Sequence, residues 1–493
     1  MLNVVSTSEM KEFDNFTMQT VDSLVLMKRA SNFLLDNIDK TLPTAIVVGS
    51  GNNGGDGLSL AEDLFKLNKN IVVVKLAEPK TNSSKYYLKK VLDLGVKIVD
   101  YSSEFKLENY DQIIDCIFGV GLDRDVTGIY KEAIFRINNL NKVVVSADIP
   151  SGLNGNNGKT KLAVKATKTV TFGAIKLGHL LAQGKDYTGE LFACDIGINC
   201  DNSKCKIYQK RDFIFHFKQL KQDLHKYSNG KVVLIGGSKN FVGAPILSNM
   251  AVASLRVGAG LSTIVVPECI RLAVSGRVLE STLQIAQDNG EHMLFTKDIF
   301  DRAILKAKAV AIGMGIGVSN SVLDILKYLL GQDIKLIIDA DAITVLSQNM
   351  HLLIDKKAQV ILTPHIMEFS RLTNLSIEEI SENPVEIVEN FAKKYGVTVL
   401  LKGATTIISD GTKIALSPYG NSSLAKGGSG DVLSGIILGL LAKNSIYDSA
   451  VIGSYILGRS AELLQEELTC YSVIASDVVN KIPYVIKEIM QEN

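Results

Sequence analysis

The chain has 493 residues, 46% hydrophobic and 21% charged, enough apolar material for two large cores and too much for a disordered chain. Lys and Arg number 53 against 52 Asp and Glu, a net charge of +1, which excludes a general attraction to nucleic acid or to an acidic membrane.

In chain order, MLNVVSTSEMKEFD has no sustained apolar run and does not read as a signal peptide. Ser6 and Glu9 form a capping-box pattern that predicts a first helix. Met27, Ala30, Leu34 and Ile38 recur at helical spacing and predict a second. Strands are expected at Ala45–Val48, Ile71–Leu76, Gln112–Gly119, Lys142–Pro150, Lys168–Ala174 and Glu190–Ile196, with helices at Leu58–Leu67 and Lys85–Leu94. These strands are continuous β-branched runs, the pattern of a parallel sheet covered on both faces. The polar stretch Asn199–Phe213 is expected to be a surface linker, with the domain boundary at 211/212. The strand–helix pattern then restarts at Lys231–Gly237, followed by a helix from Ala244 to Val257 and a strand at Leu261–Pro267. KAVAIGMGIG, KLIIDADAI, QVILTPH and VTVLLKGATTIIS supply the remaining strands. GIILGLLAK is too short to cross a bilayer. Cys116, Cys194, Cys200, Cys205, Cys269 and Cys470 match no zinc spacing and are expected to be free thiols. The result is an α/β protein of two domains, residues 1–211 and 212–493.

In the first domain three strands end in polar loops: Asn52 to Gly57, Asp115 with Gly119 to Asp125, and Asp148 with Ser151. Parallel strands share one carboxyl edge, so Asn53, Asp56, Asp115, Asp148 and Ser151 are expected in one crevice. Glycine-rich backbone there can face a phosphate, Asn and Ser oxygens beside a carboxylate suit a hard cation, and a remaining carboxylate can exchange a proton. GSGNNG also satisfies the dinucleotide fingerprint G-x-G-x-x-G. Its context is wrong for a dehydrogenase: Gly55-Asp56-Gly57 follows the third glycine, and no well-placed acid ends the second strand.

GSGNNGGDG, GVGLDRD and ADIPSGL together resemble the epimerase domain of the NAD(P)H-hydrate repair enzymes. The resemblance implies a Rossmann-like doubly wound sheet whose substrate is a nicotinamide dinucleotide hydrated at C6. Asn52, Asn53, Gly54, Gly55 and Asp56, with Gly119, Val120, Gly121, Leu122, Asp123, Arg124 and Asp125, would hold that substrate. Asn53, Asp115 and Ser151 would hold potassium, and Asp148 would contact the reacting ring, with proton exchange as its expected catalytic role.

In the second domain LAKGGSGDVLSGIILGLL places a glycine turn ahead of an apolar helix, with Asp431 at the helix start. Free N–H groups there suit a phosphoryl group in transfer, and Asp431 could accept a hydroxyl proton. No Walker A sequence occurs. KGGSGD resembles the anion-hole loop of the ribokinase-like superfamily, which also leaves open a sugar or vitamin kinase. With KVVLIGGSKNFVGAP, IDADAI, LTPH and LKGATTII it resembles the dehydratase domain of the same repair enzymes. The epimerase-first order is that expected of bacterial members, which use ADP. The resemblance implies a ribokinase-like α/β/α domain in which ADP phosphorylates the hydrate hydroxyl and phosphate then leaves, giving NAD(P)H, AMP and phosphate. Lys402, Gly403, Ala404, Thr405, Thr406 and Gly430 would bind the nucleotide, with magnesium as a further cofactor. Ala244, Gly315, His365 and Asp431 would contact the hydrate, with Asp431 catalytic. The family usually has Pro-Gly after Pro-His, where this chain has Ile366-Met367. Partners are then hydrated NAD(P)H and ADP, with no nucleic acid and no membrane. A cytoplasmic homo-oligomer is expected.

Overall fold

Every residue of the strand Thr44–Val48 is buried. Ile46 and Val48 enter one apolar cluster with Leu34, Leu58 and Leu64, while Ala45 and Val47 enter another with Ile134 and Ile137. Such a strand is covered by helices on both faces, which is why its sequence does not alternate. The computed structural model, which describes residues 1–122, 124–217, 225–253 and 256–491, extends this arrangement through two units, Leu2–Cys205 and Lys206–Asn493.

The first unit runs β1 (Leu2–Val5), α1 (Thr7–Thr17), α2 (Ser23–Asp36), β2 (Thr44–Val48), α3 (Asn52–Leu67), β3 (Ile71–Lys75), α4 (Asn82–Asp93), β4 (Ile98–Asp100), β5 (Gln112–Cys116), α5 (Gly128–Asn139), β6 (Val143–Ala147), β7 (Lys168–Phe172), β8 (Ile175–Lys176), α6 (Leu177–Leu180), α7 (Gly184–Thr188) and β9 (Glu190–Cys194). Seven strands make a parallel sheet in the order β4-β3-β2-β5-β6-β7-β9. Chain direction across the sheet reverses between β2 and β5, the place where doubly wound sheets open a crevice for ligands. The Ser6–Glu9 capping box starts α1 as expected.

One difference matters for the site. Helix α3 starts at Asn52, so the glycine-rich segment is its first turns and not a loop ahead of a helix at Leu58. Glycine opposes helix in isolation, but close packing decides here. A Cβ on Gly54 would stand 2.1 Å from the Gly49 carbonyl oxygen, and one on Gly55 would meet Met27 and Ser84.

The second unit begins within the short strand β10 (Cys205–Ile207), which straddles the boundary. It comprises β11 (Lys231–Ile235), α8 (Gly243–Ala253), β12 (Leu261–Pro267), α9 (Arg271–Ser275), β13 (Thr282–Ala286), α10 (Lys297–Ile304), β14 (Ala307–Ile312), α11 (Asn320–Leu330), β15 (Lys335–Ile338), α12 (Ala340–Ser347), β16 (Gln359–Leu362), α13 (Ile366–Thr373), α14 (Ile377–Glu382), α15 (Pro384–Tyr395), β17 (Thr398–Leu401), β18 (Thr406–Ser409), β19 (Ile414–Ser417), α16 (Ser429–Leu441), α17 (Ile446–Glu467) and α18 (Ala475–Met490). Its sheet is ordered β13-β12-β11-β14-β15-β16-β17-β18-β19, parallel as far as β17 and then antiparallel. Val232 and Leu234 of β11 share a core with Val432, Ile436 and Leu440 of α16.

The strand expected across KLIIDADAI stops at Ile338, because the Asp339 carboxylate accepts the Ala340 N–H and caps α12. Val397 to Ser409 folds into two antiparallel strands, with Lys402 just past the end of β17. The Asn199–Phe213 stretch is not simply a surface connection. Phe213 is buried in the second unit's core, its ring 4.9 Å from Tyr455 and 6.2 Å from Tyr208. All six cysteines are free thiols.

Candidate active sites

The carboxyl edge of the first sheet opens a cavity of about 530 Å³, within the range of small-molecule sites. Of the expected residues, Asn52, Asn53, Asp56, Gly119 to Leu122, Arg124 and Asp148 line it. Gly54 and Gly55 do not, because they serve the packing of α3. Asp125 is turned to the surface and paired with Lys161 at 2.6 Å. Asp123 lies outside the described residues.

Asp115 sits beneath the cavity, fully buried at the end of β5. Its oxygens accept from Ser146 Oγ at 2.8 Å, Ser151 N–H at 2.9 Å, Ser151 Oγ at 2.6 Å and Ile117 N–H at 3.2 Å. Register explains the first contact, since Asp115 and Ser146 are paired neighbours on β5 and β6. Ser151 Oγ also accepts the Phe118 N–H at 2.8 Å, and Asn53 Nδ2 donates to the Phe118 carbonyl at 2.8 Å. Asn53 and Ser151 thus meet at Phe118, and Ser151 links Asp115 to it.

Asp148 has φ +67°, a left-handed conformation uncommon outside glycine, of the kind that clusters at active sites. Its Oδ1 is paired with Lys176 Nζ, which also donates to Thr171 Oγ1 and the Phe172 carbonyl, both at 2.9 Å. Lys176 is 1% exposed. Burial pushes the Asp148 carboxyl up, but the Lys176 charge and hydrogen bond, with smaller contributions from His179 and the Phe172 N–H, together hold the group below the usual range. His179 Nδ1 accepts the Lys176 N–H at 3.1 Å, so Nε2 carries the proton towards the Asp148 carbonyl at 3.0 Å. Burial, with the Lys176 charge, lowers His179 to about 3 and keeps it neutral.

Two further carboxyls line the cavity and shift the other way. Burial raises Asp14 to about 6, with Lys176 opposing and Asp148 assisting. Burial, then the charges of Asp148 and Asp14, raises Asp56 well above its ordinary value. Sequence reasoning assigned no role to Asp14, Lys176 or His179. The available signal was an acid on the inward face of α1, with Met10 and Thr17, and a lysine inside the apolar run FGAIKLGHL.

In the second unit the carboxyl ends of β14, β15, β16 and β17 bring Gly315, Asp339, His365 and Lys402 to one edge. Gly315, at φ +62°, is pressed against Phe241 and Ala244: a Cβ there would stand 3.1 Å from that of Ala244. Lys402 Nζ lies 3.5 Å from where a Cβ on Gly430 would stand and 3.0 Å from Asp339 Oδ1. Gly403 and Ala404 are exposed, while Thr405 is buried at the turn into β18, where Thr406 begins. Asp431 is in the first turn of α16. Burial raises its carboxyl to about 7; Asp339 and Asp341 add to the shift and Lys402 opposes it.

Ile366-Met367 leave the His365 turn intact. His365 Nδ1 accepts the Met367 N–H at 3.1 Å, and Glu368 returns a bond to the His365 N–H at 2.8 Å, capping α13. Nε2 therefore carries the proton and faces Glu368 at 3.3 Å. Asp339 is a site residue that the sequence shows only within IDADAI, and Glu368, three residues past LTPH, has no role in the sequence reading.

The family model described as NAD(P)H-hydrate dehydratase matches residues 232–484, and one described as YjeF-related protein N-terminus matches residues 23–178. A bifunctional NAD(P)H-hydrate repair enzyme, Nnr of Dictyoglomus turgidum, is 30% identical over 518 residues, covering 99% of each chain. The chain belongs to the bifunctional NAD(P)H-hydrate repair enzymes. Nnr of Thermofilum pendens, another of these repair enzymes, is also 30% identical, over 100% of this chain and 97% of its own. A ribokinase-like superfamily protein of Enterococcus faecalis V583 superposes with a TM-score of 0.51 at 28% identity, over 58% of this chain and 97% of its own. The second unit of this repair enzyme therefore has the ribokinase-like fold.

Proposed function

We propose that the first unit interconverts the R and S forms of NADH and NADPH hydrated at C6. The second unit then dehydrates the S form at the expense of ADP, yielding NAD(P)H, AMP and phosphate. The observation that carries both halves is a carboxyl raised towards neutrality beside a fixed Lys–Asp pair. In the first unit Asp14 and Asp56 stand with Lys176–Asp148, and in the second Asp431 stands with Lys402–Asp339.

Carboxyls with oppositely shifted pKa values divide acid and base roles. In the first unit Asp148 stays ionised, with Oδ2 turned towards Gly119 and Asn53, where a Cβ on Gly119 would stand 3.5 Å away. It would stabilise positive charge on the ring as the C6–O bond breaks. Asp14 or Asp56 would give its proton to the departing hydroxyl and recover it when water adds to the other face, leaving the overall composition unchanged. The substrate would lie along Asn52, Asn53, Asp56, Gly119 to Leu122 and Arg124.

Potassium fits the donors beneath the cavity. Asn53 Oδ1 is buried with no hydrogen-bond partner among the described residues, and Asp115, Ser151 and the Phe118 carbonyl supply further oxygens. Asn53, Asp115 and Ser151 would hold the ion, which would supply a fixed positive charge to an anionic substrate. No three His, Cys, Asp or Glu side chains cluster as a metal site among the described residues, so magnesium is assigned to the phosphates of the nucleotide.

In the second unit the turn before α16, Gly430 and Lys402 to Thr406 would bind ADP. Ala244, Gly315 and His365 would hold the hydrate. Asp431 would take the proton from the C6 hydroxyl as that oxygen attacks the β-phosphorus of ADP, with AMP leaving; loss of phosphate from C6 and of a proton from C5 to water then restores the C5–C6 double bond of the reduced ring. No described helix is long and apolar enough to cross a membrane. A cytoplasmic homo-oligomer completes the proposal, and light scattering on the purified chain checks its oligomeric state.

The test uses the full chain and a mixture of R and S NADH hydrates. ADP should restore reduced-nicotinamide absorbance from both epimers. Without ADP, a pure epimer should equilibrate to the mixture with no gain in absorbance. Phosphorylation of a sugar or vitamin with no recovery of NADH would overturn the assignment.

A further inference from the structure

We infer that Asp339 positions Asp431 for proton transfer, by tethering Lys402 through one carboxylate oxygen and Ser434 of α16 through the other. This rests on Asp431 being the base of the dehydratase.

Asp339 is 2% exposed and ends β15. Its Oδ1 accepts from Lys402 Nζ at 3.0 Å and from the Ala340 N–H at 2.9 Å; its Oδ2 accepts from Ser434 Oγ at 2.6 Å. Ser434 is fully buried and stands one turn along α16 from Asp431. The bond to Ser434 fixes the rotation of the helix that carries the base. Ser248 Oγ holds the Asp431 carbonyl at 2.8 Å but leaves the carboxyl free.

The anchor itself is locked. A Cβ on Gly313, at φ +129°, would stand 1.8 Å from the Asp339 carbonyl oxygen, and Ala340 follows at φ +46°. Backbone held this way persists only where the surroundings over-determine it. The pair also sets charge at the base. Asp339 and Asp341 raise Asp431 and Lys402 lowers it, while the charge of Glu368, on α13, acts on Lys402. Asp341 is itself engaged by the Gly317 N–H at 2.8 Å. His365, half exposed beside Glu368, stays neutral through burial and the Lys402 and Arg371 charges.

The experiment compares Asp339→Asn, Ser434→Ala and Asp431→Asn in the full chain. Dehydration and epimerisation are assayed across pH, with ADP affinity measured separately. Asp339→Asn should lower kcat for dehydration by roughly 100-fold, the scale of a misplaced catalytic group. It should also move the pH midpoint of kcat down by about one unit, because a charge that raises Asp431 is gone. Ser434→Ala should lower kcat several-fold at unchanged ADP affinity and leave the midpoint in place. Epimerisation should persist in all three. If Asp339→Asn does not fold, Ser434→Ala decides, and an unchanged kcat there overturns the positioning role. Native-like kcat and midpoint in Asp339→Asn overturn it as well. Near-normal dehydration by Asp431→Asn would instead overturn the assignment of the base.

Discussion

Asn53 Nδ2 donates to the Phe118 carbonyl at 2.8 Å, while its buried Oδ1 meets no donor among the described residues. A buried acceptor without a partner costs about 1–3 kcal/mol, so a bound cation has a physical reason to be there. Potassium should raise both the melting temperature of the first unit and its epimerisation rate. Asn53→Ala should weaken both responses and leave dehydration unchanged. Asp115 is a poorer probe, because its removal would strand four donors. Titration in a choline buffer checks this: equal stability and rate with and without potassium would rule out the site.

Lys176 is the counter-charge of Asp148 and has no exposure with which to rehydrate. Lys176→Met should cost about 3–5 kcal/mol, the range for breaking a buried pair. Epimerisation should be lost while dehydration continues. Denaturant unfolding with both assays gives the answer, and native stability in the variant would mean that the pair contributes little.

Asp14 titrates in the opposite sense. Its folded pKa of about 6 exceeds the ordinary value of 3.8 that it takes in the unfolded chain. Its stabilising contribution is therefore present below 3.8 and lost as pH rises through about 6. Above that pH, Asp14→Asn should melt at a higher temperature than the native chain, and the gap should narrow on acidification. If Asp14 is the proton donor, epimerisation should also fall as pH rises through the same point, and the variant should lack that limb. Calorimetry showing destabilisation at high pH would refute the first part.

Asp431→Asn keeps the size of the side chain and removes the base. Dehydration should drop by about 10²–10⁴ in rate, the usual scale for a general base. Binding of ADP should persist, since the turn before α16 and Lys402 are untouched, and epimerisation should be unaffected. In the native chain dehydration should rise with pH through about 7, where the carboxyl ionises. Its stability contribution runs the other way and is lost over the same rise, so the variant should melt higher above pH 7. Steady-state assays with calorimetry of ADP binding separate a catalytic base from a helix cap.

A fragment beginning at Lys206 should fold and dehydrate the S hydrate, leaving the R form behind. One beginning at 215 lacks Tyr208 and Phe213. The loss of Phe213 alone should cost about 3–5 kcal/mol, as for other large core aromatics. Thermal melts of the two fragments compare them directly. Equal stability would mean that Phe213 contributes nothing to the second core.

The sequence by itself determined two α/β units, the parallel sheet of the first, and the strand edge on which each site would lie. Continuous β-branched runs can be buried only between helices, and parallel strands must end on a common edge. It also singled out Asn53 and Asp148, because loops at strand ends carry unusual polar residues, and Asp431, because a glycine turn precedes it at a helix start; Lys402 came from the family resemblance. It did not determine the start of α3 at Asn52, since glycine reads as loop until the close approach of Gly49, Met27 and Ser84 is known. It did not place Asp14, Lys176 or Asp339 in the chemistry. The roles of these residues come from burial and from charges on distant segments: Asp148 for Lys176, Lys402 and Ser434 for Asp339. Only packing decides which carboxyl is neutralised and which is held ionised, because the local dielectric and the nearest opposite charge set each pKa.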